Sequence, residues 1–311
     1  MSEENQSMKV GVIGTGNMGE NHVKTYLAMK EHCQLVGIYD NDPKQGRQIS
    51  DKYTIKQFQS LSELLRSVDA VSIVVPTEYH YEIGLRCIEN KVHIFMEKPI
   101  TDTVDQALDL IEKAEKAGVK LQVGHIELFN PLIQTLAEQL SDQTIIELDF
   151  HRMSPYNEKL KNVDVVKDLM IHDLYILQSF IKQDKLLNFF SMGQIIENTP
   201  KHASVLTKSE AGVIAKLTAS FKSKRKVRTI QILTEDALIE ADILNNQLKI
   251  TRDLVSQELR IHDTIQPLQR QLTDFIECIR SDRIPTVTGY DGVKTLQKAN
   301  EISKALHQKQ F

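Results

Sequence analysis

The sequence predicts an α/β chain, with an N-terminal doubly wound domain followed by a C-terminal α+β domain that contains a large, mostly antiparallel open sheet. Through residues 8–124, short β-rich runs alternate with helical patterns, as in a parallel sheet covered by helices on both faces. Beyond residue 125 the pattern changes to a succession of strand candidates that ends with two helices. We therefore expect domains at 1–125 and 126–311, with the C-terminal helix free to pack back on the first domain.

The first half of the chain contains five strand candidates with helical patterns between them. The strands are Lys9–Ile13, Leu35–Tyr39, Ala70–Val75, Val92–Met96 and Val119–Val123. The helices are Met18–Lys30, Lys44–Lys52, Tyr79–Glu89 and Val104–Lys116. Ser60 and Glu63 have the spacing of a capping box and predict a further short helix. Gly118 is suited to the C-terminal cap of the helix before it.

The second half predicts a meander of strands flanked by helices. Helical patterns cover Asn130–Leu140, Val165–Ile181, the region from Leu268 to Ile279, and about Val293–His307. The strand candidates are Thr144–Met153, Phe189–Ile196, Ala203–Lys208, Gly212–Phe221, Val227–Thr234, Ala237–Ile243, Gln247–Thr251 and Glu258–Ile261. Such a run of short strands predicts an antiparallel sheet.

Composition argues against several functional classes. The 311 residues are 41% hydrophobic and 26% charged, with a net charge of −4, as in globular chains. Without a basic stripe or a long apolar run, neither a nucleic-acid partner nor a membrane span is expected. The polar first seven residues do not resemble a signal peptide. Three scattered cysteines predict a cytoplasmic protein with free thiols, and no Cys or His spacing predicts a metal site.

The loop after the first strand candidate has the spacing of a dinucleotide-binding fingerprint. Its three glycines are Gly14, Gly16 and Gly19. The first permits a tight turn, the second lets the backbone approach a pyrophosphate, and the third lets helix and strand pack closely. The following helix offers free N–H groups to the phosphates, among them those of Asn17 and Met18. This context predicts a Rossmann domain that binds a dinucleotide.

An acidic residue in the expected place indicates which dinucleotide is bound. Asp40 ends the second strand candidate, where a carboxylate can accept hydrogen bonds from the ribose hydroxyls of adenosine. The same charge repels a 2′-phosphate, so NAD is predicted over NADP. Two alternatives stay open: Asp40 could only begin the turn that leads to Pro43, and the nearby Arg47 could allow NADP to bind.

Five motifs in the same order resemble the Gfo/Idh/MocA family (glucose–fructose oxidoreductase and inositol dehydrogenase) over nearly the whole chain. They are Gly14–Gly19, Val75-Pro76-Thr77 with His80, Glu97-Lys98-Pro99, Asp168 with His172, and residues 284–292. The resemblance implies an NAD(P)-dependent oxidoreductase that acts on a CH–OH group (EC 1.1.1.-). It adds four cofactor-binding residues: Pro76, Thr77, His80 and Glu97.

The resemblance also implies that Lys98, Asp168 and His172 are catalytic. Independently, the spacing of Asp168 and His172 places both on one face of a helix. We expect His172 to act as the general base and Lys98 to stabilise negative charge on the reacting oxygen, while Asp168 holds the geometry. A structural histidine with satisfied hydrogen bonds is the alternative role for His172.

Residues 124–131 and 168–173 resemble family members that oxidise the C3 hydroxyl of UDP-N-acetylglucosamine. This resemblance implies that Glu127 and Asn130 bind the substrate together with Lys98, Asp168 and His172. For Asn130, capping of the following helix is an equally good role. In those members Arg usually replaces Leu128, and Asp usually replaces Tyr175. A sugar or sugar-nucleotide substrate is expected, ahead of inositol or another cyclic polyol. A non-catalytic nucleotide sensor of the same fold is the alternative from another functional class.

The resemblance further implies a homodimer or homotetramer that pairs through the open sheet. Val213, Ala215, Leu217 and Ala219 alternate with polar residues and would form one apolar face of a strand. A partner subunit could cover this face, and helices of the same chain are the alternative.

Overall fold

A computed structural model describes residues 7–181, 186–261 and 265–308. The chain divides into two compact units. The first runs to Ile126 and also includes Ile265–Lys294, and the second comprises Glu127–Thr264 and the chain from Thr295 onward. The expected domains of 1–125 and 126–311 differ from this division mainly at Ile265–Lys294. In the described ranges no helix is long and apolar enough to cross a membrane.

The first unit is built on a parallel sheet of five strands in the order β2-β1-β3-β4-β5. The strands are β1 (Met8–Ile13), β2 (Cys33–Tyr39), β3 (Ala70–Ile73), β4 (His93–Met96) and β5 (Leu121–Val123). The helices between them are α1 (Asn17–Ala28), α2 (Pro43–Tyr53), α3 (Leu61–Leu65), α4 (His80–Glu89) and α5 (Val104–Ala117). The predicted doubly wound architecture is confirmed.

Local signals fix the ends of several of these helices. The Oγ of Ser60 accepts a hydrogen bond from the N–H of Glu63, as the predicted N-terminal cap of α3. Gly118 ends α5 in the left-handed region at φ +68°, where a Cβ would be strained. The predicted caps therefore form from contacts between residues close in sequence.

The second unit contains an eight-stranded sheet in the order β13-β12-β11-β10-β6-β9-β8-β7. Its strands are β6 (Ile145–Met153), β7 (Leu186–Ile196), β8 (Thr199–Ser209), β9 (Ile214–Ser220), β10 (Val227–Thr234), β11 (Leu238–Asp242), β12 (Gln247–Arg252) and β13 (Val255–Arg260). Neighbouring strands are antiparallel except β6 and β9, which are parallel. The predicted large, mostly antiparallel sheet is confirmed, and its helices include α6 (Pro131–Gln139) and α7 (Ile171–Phe180).

The segment predicted as one helix over Val165–Ile181 consists of two consecutive helix types. A π-helical turn covers Val166–Met170, and α7 follows directly. Val165, Val166 and Met170 are buried in the core of the second unit. An extra residue in a helical turn often occurs at functional sites, and this turn contains the predicted catalytic Asp168.

The last helices are α8 (Pro267–Arg280) and α9 (Gly289–Gln308), and the division between the units falls within α9. Leu268, Leu272, Phe275 and Ile276 of α8 belong to the core of the first unit. The ring of Phe275 packs edge-on against Phe95 of β4, with centroids 5.8 Å apart. This apolar face of α8 places Ile265–Lys294 in the first unit because it covers the parallel sheet.

A partner subunit was expected to cover one apolar face of β9, but the chain itself covers that face. Ala215, Leu217 and Ala219 are buried in the core of their own unit, and Val213 packs against that core. The open face of the sheet is the opposite one, and the strand register aligns one row of residues across it. In order, this row is Phe190, Leu206, Lys216, Asp149, Gln231, Glu240, Lys249 and Glu258.

Candidate nucleotide site and catalytic residues

The glycine loop after β1 is shaped by close backbone packing. Gly14 has φ +88°, and a Cβ there would lie 2.6 Å from the carbonyl oxygen of Val74. A Cβ at Gly19 would lie 2.0 Å from the carbonyl oxygen of Gly14. A Cβ at Gly16, in contrast, would have no atom within 4 Å. The protein itself therefore does not require a glycine at 16, whereas a pyrophosphate close to this backbone would.

The N-terminus of α1 is suited to an anion. Its N-cap residue is Gly16, which has no side chain to cap the first N–H groups. Gly16 and Asn17 are exposed, and Met18 is half-buried. Exposed N–H groups at the positive end of a 12-residue helix fit the phosphates of a dinucleotide.

Asp40 organises the same loop. Its Oδ2 accepts hydrogen bonds from the N–H and Oγ1 of Thr15 at 2.7 and 2.6 Å, and its Oδ1 accepts one from the N–H of Asp42 at 2.9 Å. Asp40 therefore does stabilise the turn that leads to Pro43, the role given above as the alternative to ribose binding. A carboxylate has about four acceptor sites, so three bonds leave room for a ribose hydroxyl.

A cavity of about 530 Å³ in the first unit extends from the glycine loop past Asp40. Its lining includes the carboxylates of Asp42 and Glu82, together with Pro76 and Arg86. The guanidinium of Arg86 donates a hydrogen bond to the Oγ of Ser62 at 2.7 Å. A lining with this excess of carboxylates favours NAD over a cofactor with a further phosphate.

His80 ties two loops of the first unit together. Its ring is 1% exposed, with Nδ1 2.9 Å from the carbonyl oxygen of Pro99 and Nε2 2.9 Å from that of Val75. Burial lowers the pKa of His80, whereas the carbonyl oxygens of Val75 and Pro99 act in the opposite direction. The ring of His80 is thus enclosed by protein, and its predicted role in cofactor binding stays a prediction. Pro76 is exposed and the half-buried Thr77 begins the following 3₁₀ turn.

The Glu97-Lys98-Pro99 motif follows β4, and its Lys98–Pro99 peptide bond is cis. The carboxylate of Glu97 lies 3.0 Å from Nε2 of the fully buried His22 of α1. Its other oxygen accepts a hydrogen bond from the N–H of Lys98 at 3.3 Å. Glu97 is therefore held in place from two directions, on the residue next to the predicted catalytic lysine.

A buried histidine also lies close to this lysine. His125 follows β5 and is 1% exposed. Burial, together with the positive charge of Lys98, lowers the pKa of His125 to about 3. His125 is therefore neutral at physiological pH and adds no charge beside the ammonium group of Lys98.

In the second unit, Asp168 and His172 lie on the accessible side of a largely buried helical segment. Both are half-buried, whereas Met170, Ile171 and Leu174 are buried. Both side chains therefore keep partial exposure on a segment that begins with a π-helical turn and continues as α7. That they share one face stays a prediction.

The residue after His172 belongs to a buried ion-pair cluster that the sequence analysis missed. The guanidinium of Arg152 on β6 is 2% exposed and donates hydrogen bonds to Asp173 at 2.8 Å and to Glu127 at 2.7 Å. Burial alone would lower the pKa of Arg152, but Asp173 and Glu127 raise it above its ordinary value. The sequence could have indicated that Arg152 is buried, because side chains alternate along a strand and Arg152 follows Leu148 and Phe150 at every second position of β6.

Two residues predicted to contact the substrate have hydrogen-bond partners within the chain. The carboxylate of Glu127 is 5% exposed and accepts a hydrogen bond from Arg152, and its contact with a substrate stays a prediction. The Oδ1 of Asn130 accepts a hydrogen bond from the N–H of Leu132 at 2.9 Å and caps α6. For Asn130 the alternative role of helix cap is therefore the one that the geometry shows.

The fold and the glycine loop define an NAD-binding oxidoreductase domain. Residues 8–125 match the model of the oxidoreductase family with an NAD-binding Rossmann fold, Gfo/Idh/MocA. The predicted resemblance to this family, the enzyme class and the cofactor, NAD, are confirmed.

Similarity to known proteins extends over the whole chain. UDP-N-acetylglucosamine 3-dehydrogenase from Acidithiobacillus ferrooxidans is 28% identical, covering 96% of this chain and 97% of that protein. A solved structure of this enzyme has a TM-score of 0.91, covering 97% and 98% of the two chains. Myo-inositol 2-dehydrogenase from Thermotoga maritima is 24% identical, covering 97% of both chains. An inositol dehydrogenase homologue from Azotobacter vinelandii, solved with NAD+, shares the fold at TM-score 0.88 and 17% identity, covering 99% and 97%.

Proposed function

We propose that this protein is an NAD-dependent dehydrogenase that oxidises a secondary hydroxyl of a sugar, with a nucleotide sugar of the UDP-N-acetylglucosamine type as substrate and C3 as the reacting carbon. The observation that carries the proposal is that Asp168 and His172, four residues apart, are both half-buried on a segment whose Met170, Ile171 and Leu174 are buried. The full-length similarity to UDP-N-acetylglucosamine 3-dehydrogenase supports the substrate class.

The cofactor site is proposed to use the N-terminus of α1 for the pyrophosphate and Asp40 for the adenosine ribose. The backbone at Gly14, Gly16, Asn17, Met18 and Gly19 would form the phosphate cradle. Pro76, Thr77 and Glu97 would shape the pocket for the nicotinamide. NAD supplies the hydride acceptor when it is bound.

The proposed chemistry assigns one task to each polar side chain. His172 accepts the proton of the substrate hydroxyl as general base, since imidazole titrates near neutral pH. Lys98 donates a hydrogen bond to the same oxygen and stabilises the negative charge that develops there. Asp168 accepts hydrogen bonds from neighbouring substrate hydroxyls and orients the sugar. The carbon thereby loses a hydride, for which bound NAD would be the acceptor, and its hydroxyl oxygen loses a proton to His172, which leaves a ketone.

The experiment that tests the proposal is spectroscopic detection of reduced nicotinamide. Purified protein is incubated with NAD or NADP and, separately, with UDP-N-acetylglucosamine, N-acetylglucosamine and myo-inositol. We expect reduction of NAD with the nucleotide sugar. A signal with myo-inositol alone would replace the proposed substrate with a cyclic polyol. NAD binding without reduction by any substrate would favour a non-catalytic nucleotide sensor.

A variant separates catalysis from cofactor binding. Lys98→Met is expected to lower turnover by about 10²–10³-fold, as for other lost donors to a developing oxyanion. Its affinity for NAD, measured by calorimetry, should stay close to that of the unchanged protein. Lys113→Met, at an exposed lysine of α5, is the matched control. Unchanged turnover of Lys98→Met would remove this lysine from the mechanism.

We also propose a cytoplasmic homodimer or homotetramer that pairs through the open face of the second unit. Phe190, Met192 and Leu206 are 56%, 64% and 47% exposed, and the register places them on that face. Apolar side chains this exposed are stabilised by burial in an interface. Light scattering of Leu206→Asp tests the proposal: a smaller particle supports it, and an unchanged oligomer contradicts this choice of face.

A further inference from the structure

A second arginine lies beside the buried ion-pair cluster of the second unit. Arg228 of β10 is directly opposite Arg152 of β6 in the strand register. By strand alternation, Arg228 shares its face with Ile230 and Ile232, which are buried in the core. Its side chain therefore lies on the helix-covered face of the sheet, the face against which the π-helical turn and α7 pack.

The two arginines differ in how their charges are satisfied. Arg152 donates to the carboxylates of Asp173 and Glu127. Arg228 is half-buried, yet within residues 7–181, 186–261 and 265–308 its guanidinium has no hydrogen-bond or ion-pair partner. A guanidinium has five N–H donors, and charges withdrawn from water are normally paired. As far as the described ranges go, the donors of Arg228 are thus available to a molecule from outside the chain.

The charges around Arg228 place it close to the proposed catalytic carboxylate. Burial lowers the pKa of Arg228, as does the like charge of Arg152, whereas Glu127, Asp173 and Asp168 act in the opposite direction. An arginine remains protonated in such surroundings because its ordinary pKa is above 12. Arg228 is therefore a positive charge on the same face of the sheet as the segment that carries Asp168.

Charge compensation alone does not account for this arrangement. Arg152 with Glu127 and Asp173 carries a net charge of −1, and Arg228 balances it at a distance. A purely compensating arginine would gain most by hydrogen bonding to one of those carboxylates, which Arg228 does not do. A planar guanidinium with free donors is instead suited to two parallel hydrogen bonds with a carboxylate or a phosphate.

We propose that Arg228 is a specificity-determining residue that binds an anionic group of the substrate, a phosphate or a carboxylate, near the carbon that is oxidised. This inference rests on the proposed function and narrows its substrate class, because it selects for charged sugars over neutral polyols. The anion could be the diphosphate of a nucleotide sugar or the carboxylate of a sugar acid, and both offer the same pair of acceptor oxygens.

Binding measurements with Arg228→Gln test the assignment without relying on turnover. Calorimetry in the presence of NAD uses UDP-N-acetylglucosamine as the diphosphate source and glucuronate as the carboxylate source, with myo-inositol as the neutral probe. We expect Arg228→Gln to weaken binding of one anion by about 10- to 100-fold, the effect of losing a hydrogen bond to a charged group. Binding of myo-inositol should not change. Arg260→Gln, at an exposed arginine of β13, is the matched control.

Each outcome decides a different point. Loss of UDP-N-acetylglucosamine binding alone identifies the diphosphate, and loss of glucuronate binding alone identifies the carboxylate. Equal weakening of the anions and myo-inositol, or no anion binding by the unchanged protein, overturns the proposal. Urea unfolding of Arg228→Gln and Arg228→Lys separates a folding defect from a binding defect. Anion binding that depends on Arg228, without any reduction of NAD, would reject the proposed function and keep the anion site.

Discussion

The Nε2 atom of His22 lies 3.0 Å from Oε1 of Glu97, so a fully buried imidazole on α1 holds the carboxylate next to Lys98. His22 belongs to the helix whose N-terminus is proposed to bind the pyrophosphate, and Glu97 belongs to the motif that carries the proposed catalytic lysine. The ring of His22 also packs on Phe95, with centroids 5.4 Å apart. One side chain thus connects the two functional segments of the first unit.

His22→Phe should destabilise the protein. The substitution keeps an aromatic ring beside Phe95 but removes the hydrogen bond to Glu97, whose carboxylate is largely buried. The free energy of unfolding should fall by about 1–3 kcal/mol, the usual effect of leaving a buried group unsatisfied. Urea denaturation measures this change. His22→Gln retains an N–H donor and should recover part of the lost stability. Equal stability of the unchanged protein and both variants would show that the contact with Glu97 contributes nothing.

His172→Ala should lower turnover by about 10²–10⁴-fold, the range for a lost general base. Steady-state rates with the best substrate measure this effect, and NAD affinity should stay unchanged. The control is Ser179→Ala, at a half-buried residue of the same α7 whose hydroxyl donates a hydrogen bond to the carbonyl oxygen of Ile176. Full activity of His172→Ala would assign the base to another residue.

Asp40→Ala should reduce discrimination against NADP. Removal of the carboxylate removes its repulsion of a 2′-phosphate, and we expect the ratio of kcat/KM for NADP over NAD to rise about tenfold, or ~1.4 kcal/mol. Glu82→Ala changes another carboxylate of the same cavity and is the comparison for a general loss of negative charge. An unchanged ratio would leave Asp40 with only its bonds to Thr15 and Asp42.

Arg152→Met should be among the most destabilising substitutions in the second unit. It leaves Glu127 and Asp173 buried without their cation, and breaking a buried pair in this way typically costs about 3–5 kcal/mol. Combining it with Glu127→Gln and Asp173→Asn removes the uncompensated charges, so the triple variant should lose less. Urea denaturation measures the free energy of unfolding of the single and triple variants. A triple variant less stable than Arg152→Met would contradict the prediction and indicate that the arginine matters only for packing.

His125→Gln should change how stability depends on pH. The pKa of His125 is lowered from 6.5 to about 3 in the folded protein by burial and by Lys98. Above pH 6.5 neither state binds the proton, so the histidine has no effect on the slope. As the pH falls from about 6 towards 3, only the unfolded state binds it, and stability falls by about 1.4 kcal/mol per pH unit. Denaturation at several pH values should show a shallower acid slope for the variant; parallel curves would contradict this assignment.

The sequence by itself determined the parallel sheet and the glycine loop. Each of these depends on residues close in the chain: apolar periodicity forms the strands and helices, and glycine is required where the backbone at Gly14 turns with positive φ. The caps at Ser60 and Gly118 are local for the same reason. Such signals can be recognised without knowing what lies across the fold.

Tertiary structure alone decided the contacts between distant segments. The packing of α8 on the parallel sheet places Ile265–Lys294 in the first unit, because its apolar face fits against Phe95 rather than against the neighbouring segments of the chain. The partners of Arg152 come from two other elements, so only the folded chain shows that its guanidinium engages Glu127 and Asp173. Charge compensation depends on residues that the sequence separates, and no local pattern identifies the partners.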